Sequence, residues 1–252
     1  MPDADLTDDG FLGGRLRILQ PRVGYRAATD PVLLAAAVPA KPGQRALELG
    51  CGAGVASLCL LSRVPGLSVT GIERQAAYAD LARQNAARNS LDLMVIEGDL
   101  ARMPKPMLAQ SFDHVLANPP YFRASDGTMA DDPGREAAFR EDTPLADWTD
   151  AALRRLKPGG WLTMIHLTDR LGDILATLSG RAGSVTILPV APRVGRPASR
   201  VILRARKGGK APLTLLAPFI LHDGPDHLRD GDDFSPAARA VLRQGVALPG
   251  FA

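Results

Sequence analysis

Short apolar runs recur along the chain with amphipathic stretches between them. The runs are Arg45 to Leu49, Leu67 to Ile72, Leu93 to Ile96, Phe112 to Ala117 and Trp161 to Ile165. Each is strand-like in length, while Val55 to Leu61, about Gln75 to Asn89, about Leu145 to Leu156 and Asp169 to Leu178 carry helical spacing. The third of these helices is expected to stop at Lys157-Pro158-Gly159-Gly160. Upstream, Asp30 and Pro31 read as the N-cap and first residue of a helix through Val38. Val185 to Leu188 and Ser199 to Leu203 read as a closing strand pair, and Ser235-Pro236 opens a short helix that ends at Gly245. Strands alternating with helices argue for a parallel sheet wrapped by helices.

The ends of four successive strands carry the chemistry. Glu48-Leu49-Gly50-Cys51-Gly52-Ala53-Gly54 is a strand running into a glycine turn before a helix, where a backbone can approach a ligand closely. It lacks the third glycine of the dinucleotide fingerprint, whose place is taken by Val55, and the Lys-Ser/Thr ending of a phosphate-binding loop. The second strand ends in Glu73, placed to accept hydrogen bonds from both hydroxyls of a ribose. The third leads to Gly98-Asp99, where an acid would meet an adenine amino group. Taken singly, either acid reads equally as a solvated strand end. The fourth strand runs into Asn118-Pro119-Pro120-Tyr121-Phe122. The prolines fix the backbone, and an amide oxygen with a rigid carbonyl is able to take both hydrogens of a planar NH2 group beside a stacking ring. Alone, the same five residues also suit a plain proline turn.

In this order, the glycine turn, Glu73, Asp99 and Asn118-Pro119-Pro120-Tyr121 resemble the motifs of class I S-adenosylmethionine-dependent methyltransferases that act on planar nitrogens. With Gly24-Tyr25-Arg26-Ala27-Ala28-Thr29-Asp30-Pro31 upstream, the chain is similar, from about Phe11 to about Arg206, to the bacterial family of tRNA1(Val) (adenine-37-N6)-methyltransferases. The resemblance implies an α/β, Rossmann-like fold with a mainly parallel seven-stranded sheet and helices on both faces, its last strand pair forming an antiparallel edge. It implies an N-terminal extension over residues 1–40 with a cofactor-facing helix, a methyltransferase domain over 41–210, and a tail over 211–252 packing on it. It assigns Asn118, Pro119, Pro120 and Tyr121 to catalysis. Glu48, Gly50, Gly52, Gly54, Glu73, Asp99 and Asp30 are assigned to S-adenosylmethionine, the three glycines making room for its methionine part.

Composition fits one large domain: 252 residues, 46% hydrophobic and 23% charged. No run is long and apolar enough to cross a membrane, and the acidic start is unlike a secretory signal, so a cytoplasmic location is expected. Two cysteines, Cys51 and Cys59, and four histidines give no metal-ligand spacing, so neither a metal nor a disulfide is expected.

Two segments bear on the substrate. Arg123 to Thr143 is long and polar, and reads as a lid or clamp carrying Arg135 and Arg140, or as disorder. Between Asp173 and Asp223 there is no acid, while Arg181, Arg193, Arg196, Arg200, Arg204, Arg206, Lys207 and Lys210 occur there. That excess suits nucleic acid, against an alternative of edge-strand charges that block aggregation. Phe122, Arg193, Arg196 and Arg200 are accordingly expected to meet the substrate. The reading is methyl transfer to N6 of adenine in RNA, with tRNA as partner. The alternatives are methylation of a glutamine amide in a release factor, and a non-catalytic RNA-binding module.

Overall fold

The computed structural model describes residues 5–123, 140–141, 143–224 and 233–251. Arg135 and most of the expected lid lie outside the described residues, as do the side chains of Phe122, Arg123, Arg140 and Glu141. A hairpin of β1 (Leu6–Phe11) and β2 (Leu16–Pro21) precedes α1 (Asp30–Ala37). The chain then alternates through β3 (Arg45–Leu49), α2 (Val55–Arg63), β4 (Ser68–Glu73), α3 (Ala76–Arg88), β5 (Leu93–Glu97), a short α4 (Lys105–Leu108) and β6 (Phe112–Ala117). After a two-residue pair, β7 (Phe122–Arg123) and β8 (Arg140–Glu141), come α5 (Leu145–Arg155), β9 (Leu156–Leu167), α6 (Leu171–Leu178), β10 (Ala182–Ala191) and β11 (Arg200–Lys207). Two short strands, β12 (Thr214–Leu215) and β13 (Phe219–Ile220), precede α7 (Pro236–Gln244).

The principal strands lie in the order β5-β4-β3-β6-β9-β11-β10, parallel except that β11 runs antiparallel to both β9 and β10. The expected seven strands are thus present, but the sheet has nine, because β12 and β13 each add two residues along β10. Those short strands have little apolar pattern to read. The central strands are near-continuous apolar runs because helices cover both faces; Leu47, Leu49, Val115 and Leu116 are fully buried. Helix α1 is apolar all round, with residues 31–37 buried, as a helix enclosed by others must be. Leu248 and Phe251, beyond α7, share its core.

Two expectations need correction, and one element was missed. Asp30 does not cap α1: Thr29 holds the cap position without a side-chain bond, and the Asp30 carboxylate is committed elsewhere. Lys157-Pro158-Gly159-Gly160 does not separate a helix from a strand. The helix ends at Arg155, and the Pro-Gly-Gly forms an irregularity inside β9, where a Cβ on Gly160 would lie 2.9 Å from the Asp113 carbonyl. The β1–β2 hairpin was not anticipated, although Leu16 and Ile18 alternate with the exposed Arg17.

That hairpin is tied down by one fully buried amide. Asn85 of α3 accepts a hydrogen bond from Leu19 N (2.7 Å) and donates to the carbonyls of Leu19 and Ala53 (3.0 Å each), joining β2, α3 and the glycine turn. Asn85→Ala strands the buried Ala53 carbonyl and two half-buried groups of Leu19, so a loss of about 1–3 kcal/mol in denaturant unfolding is expected; a change under about 0.5 kcal/mol would contradict this role.

Candidate active site

The order of strands reverses between β3 and β6, and crevices outside the carboxyl ends of strands at such a switch point are where α/β sheets bind ligands. A cavity of about 320 Å³ opens there. Its wall contains Asp30, Glu48, Gly50, Gly52, Glu73, Asp99, Asn118, Pro119, Pro120, Tyr121 and Arg200, residues spread over 171 positions of sequence. Gly54, Arg193 and Arg196 are absent from this wall.

The glycine turn divides its labour. Gly50 stands at φ +65°, and a Cβ there would come within 2.6 Å of the Trp148 ring, so the residue must be glycine on both counts. Gly52 faces the cavity, with the Tyr25 ring 3.9 Å from where a Cβ would be. Gly54, instead of making room for ligand, seats α2 against Ala82 and Leu93. Cys51 is buried with its sulfur in the space Gly71 leaves, and burial pushes its thiol well above the ordinary range.

The three acids take up different positions. Glu48 is buried, and burial lifts its carboxyl to about 8 despite hydrogen bonds from Ser57 N (2.9 Å) and Ser57 Oγ (2.5 Å). Glu73, at the end of β4, accepts from Gly52 N and Gln75 N, both at 2.9 Å, which fixes the carboxylate against the turn and leaves lone pairs toward the cavity. Asp99 accepts from Ala101 N (2.9 Å) as cap of a 3₁₀ turn, through one oxygen.

Across the cavity, Asn118 Nδ2 lies 3.4 Å from the Tyr25 hydroxyl, and its Oδ1 is buried without a partner. An acceptor in that state is costly unless a donor arrives. Tyr121 donates its hydroxyl hydrogen to Asp30, which also receives Arg200 Nε at 3.0 Å; the Arg200 guanidinium sits 5.1 Å from the Tyr121 ring centre. The His166 ring approaches Tyr121 at 5.3 Å, tilted 57°. Burial holds His166 neutral, down at about 4, and pushes the Tyr25 and Tyr121 phenols up. Sequence reasoning gave no role to Tyr25, Trp148 or His166. Trp148 lies in the apolar face of α5, where a tryptophan reads as core, yet its indole N–H is buried and unpartnered beside the cavity.

The basic segment does not assemble into one stripe. Arg181 pairs with Asp150, Arg193 with Asp233, and Arg200 with Asp30. Arg204 lies between the Trp161 and Phe251 rings and bonds the Phe251 carbonyl, Arg206 bonds the Gly159 carbonyl, and Lys207 that of Leu156. Arg196 is exposed. Among the described residues, no group of three or more His, Cys, Asp or Glu is placed to hold a metal ion, and no helix is long and apolar enough to cross a membrane.

Comparison with known proteins agrees with this geometry. The family model described as methyltransferase small domain matches residues 28–171. A tRNA1(Val) (adenine(37)-N6)-methyltransferase of Porphyromonas gingivalis is 30% identical over 95% of this chain and 100% of its own length. A release factor glutamine methyltransferase of Xylella fastidiosa is 32% identical, over 58% of this chain and 55% of that protein. Among solved structures, a predicted O-methyltransferase of Agrobacterium tumefaciens superposes with a TM-score of 0.70 at 29% identity, over 86% of this chain and 97% of that one. The chain belongs to the methyltransferase small domain family, within the class I S-adenosylmethionine-dependent methyltransferases.

Proposed function

We propose that this protein methylates the exocyclic N6 of an adenine in tRNA, position 37 of the anticodon loop, using S-adenosylmethionine in the cytoplasm. The observation that carries the reading is the buried, unpartnered Asn118 Oδ1 beside the glycine turn. An oxygen that only accepts wants an N–H donor, and a planar amino group has two hydrogens to give. The reading also rests on relatives of that activity that align along 95% of the chain, against 58% for the release factor enzyme. Transfer to a hydroxyl, suggested by the Agrobacterium relative, leaves one of the two acceptors in the loop unused.

The cavity suits the cofactor. Gly52 would leave space for its methionine part, Glu73 would hold its ribose and Asp99 would meet its adenine, while Gly50 makes room for the Trp148 ring, whose orphan N–H belongs to the same wall. When bound, S-adenosylmethionine would supply a methyl group on positively charged sulfur for in-line attack by the acceptor nitrogen, the S–CH3 bond breaking to leave a neutral thioether and the nitrogen shedding one proton to water. Asn118 Oδ1 and the Pro119 carbonyl accept the two amino hydrogens and orient the nitrogen. Tyr121 and the Arg200 guanidinium over it form a stacking platform, since aromatic rings and guanidinium planes both receive splayed bases. Single-stranded loops offer such bases at a cost of about a few kcal/mol.

Incubating the protein with labelled cofactor and total tRNA should give methylated adenine in RNA; label entering release factors instead would overturn the substrate assignment. Asn118→Ala should abolish transfer while leaving the calorimetric cofactor affinity nearly intact, and a fully active variant would contradict the mechanism. Glu73→Gln loses the charge and one of the two oxygens that hold the turn, so cofactor binding should weaken by about 1.5–3 kcal/mol. For RNA, log affinity should fall with log salt by about 0.7–0.9 per phosphate neutralised. Arg196→Ala should make that slope shallower by roughly one. Arg193 is the poorer probe, because it is already paired with Asp233 and its removal would disturb that contact as well. An unchanged slope in Arg196→Ala would return this residue to edge protection.

A further inference from the structure

Asn118 needs its amide turned one way round. A primary amide is nearly symmetric in shape, and a flip exchanges acceptor for donor. With Nδ2 toward the cavity, Asn118 would point N–H groups at an acceptor amine that itself brings N–H groups. The fold must therefore specify the orientation. Asn118 Oδ1 has no partner to do so, which leaves Nδ2 as the handle.

We infer that Tyr25 is a positioning residue for methyl transfer: its hydroxyl oxygen receives Asn118 Nδ2 and so holds Oδ1 toward the acceptor amine. This rests on the role proposed above for Asn118. Nδ2 lies 3.4 Å from that hydroxyl oxygen, a contact at the long end for a hydrogen bond that closing of the site on substrate would shorten. Tyr25 is itself rigidly placed. Its backbone N–H donates to the Tyr78 hydroxyl (2.9 Å), and Tyr78 donates back to the Tyr25 carbonyl (3.1 Å), from a ring that is 4% exposed on α3. The Tyr25 ring reaches over Gly52, so one side chain spans the cofactor turn and the acceptor loop. Burial beside Asp30 and Glu48 keeps the phenol protonated, so it positions the amide without serving as a base.

The experiment is Tyr25→Phe, which keeps the ring and removes only the hydroxyl. With tRNA as acceptor, kcat should fall roughly three- to ten-fold, the worth of one lost hydrogen bond. Cofactor affinity by calorimetry, the melting temperature and the shape of the pH–rate profile should stay as in the wild type. A second readout needs no acceptor: the Asn118 side-chain NH2 resonances, assigned by their loss in Asn118→Asp, should exchange with solvent faster in Tyr25→Phe. An inactive Asn118→Ala together with a Tyr25→Phe enzyme of unchanged kcat and unchanged exchange would overturn the inference while leaving the Asn118 role standing. An active Asn118→Ala would instead remove the reading beneath it. A fall confined to cofactor affinity or melting temperature would make Tyr25 structural only, and a displaced pH profile would make it a proton carrier; either result overturns the inference.

Discussion

The pairing of β3 with β6 is the constraint on which the site depends. Their parallel register sets Leu49 opposite Ala117, so the residues that follow, Gly50 and Asn118, leave the sheet side by side. Neighbouring strands lie about 4.8 Å apart, so a cofactor turn and an acceptor loop leaving adjacent strand ends meet in one crevice without any intervening element. A shift of one residue in either strand would send every side chain of it to the opposite face of the sheet, against the wrong helices, and turn the loop away. The apolar runs that fill the sheet are therefore also what sets the two reactive groups beside each other.

Much of this was legible because strand ends are where period and chemistry coincide. The glycine turn, Glu73, Asp99 and the Asn-Pro-Pro-Tyr loop each follow an apolar run, and the structure gathers all four around one cavity. What stayed hidden depends on contacts between distant positions. Asp30 sits before a proline and an apolar helix, a pattern that reads locally as a cap, yet its carboxylate is taken by Tyr121 and Arg200 from 91 and 170 residues away. Gly54 looks like Gly50 and Gly52 in a motif, but the side chains that crowd it come from α3 and β5. Trp148 and His166 lie in apolar periodicity, where nothing in the sequence separates a core ring from one that borders a cavity.

The basic segment shows how local charge counting fails. Eight cations without an acid over a long stretch promise a strong field. Folding supplies Asp150, Asp233 and Asp30 from elsewhere in the chain, and backbone carbonyls receive Arg204, Arg206 and Lys207. Arg204 in particular lays its guanidinium against two rings and donates to the Phe251 carbonyl, so its charge is spent inside the fold. The sequence records how many charges there are; the fold decides how many are left for a partner. Here the arginine of most interest is Arg200, the member of the segment that borders the cavity.

The electrostatics of the cavity bear on how an exocyclic amine can be methylated there. Tyr25 and Tyr121 are held in their protonated forms, His166 is neutral, and burial lifts the Glu48 carboxyl to about 8. The two phenols and His166 are not poised as bases at neutral pH in the way a general-base mechanism requires, and Glu48 spends an oxygen on Ser57 N and Oγ. Asn118 has no proton affinity to offer either. What the site can provide is fixed acceptors, which polarise N–H bonds and aim the lone pair, and such preorganised dipoles act without reorganising as charge develops. Orientation of a single amide then matters more than the titration of any side chain. The surrounding groups serve to keep that amide in place: a rigid proline loop, a tyrosine whose backbone is clamped by Tyr78, and a stacking ring fixed by Asp30.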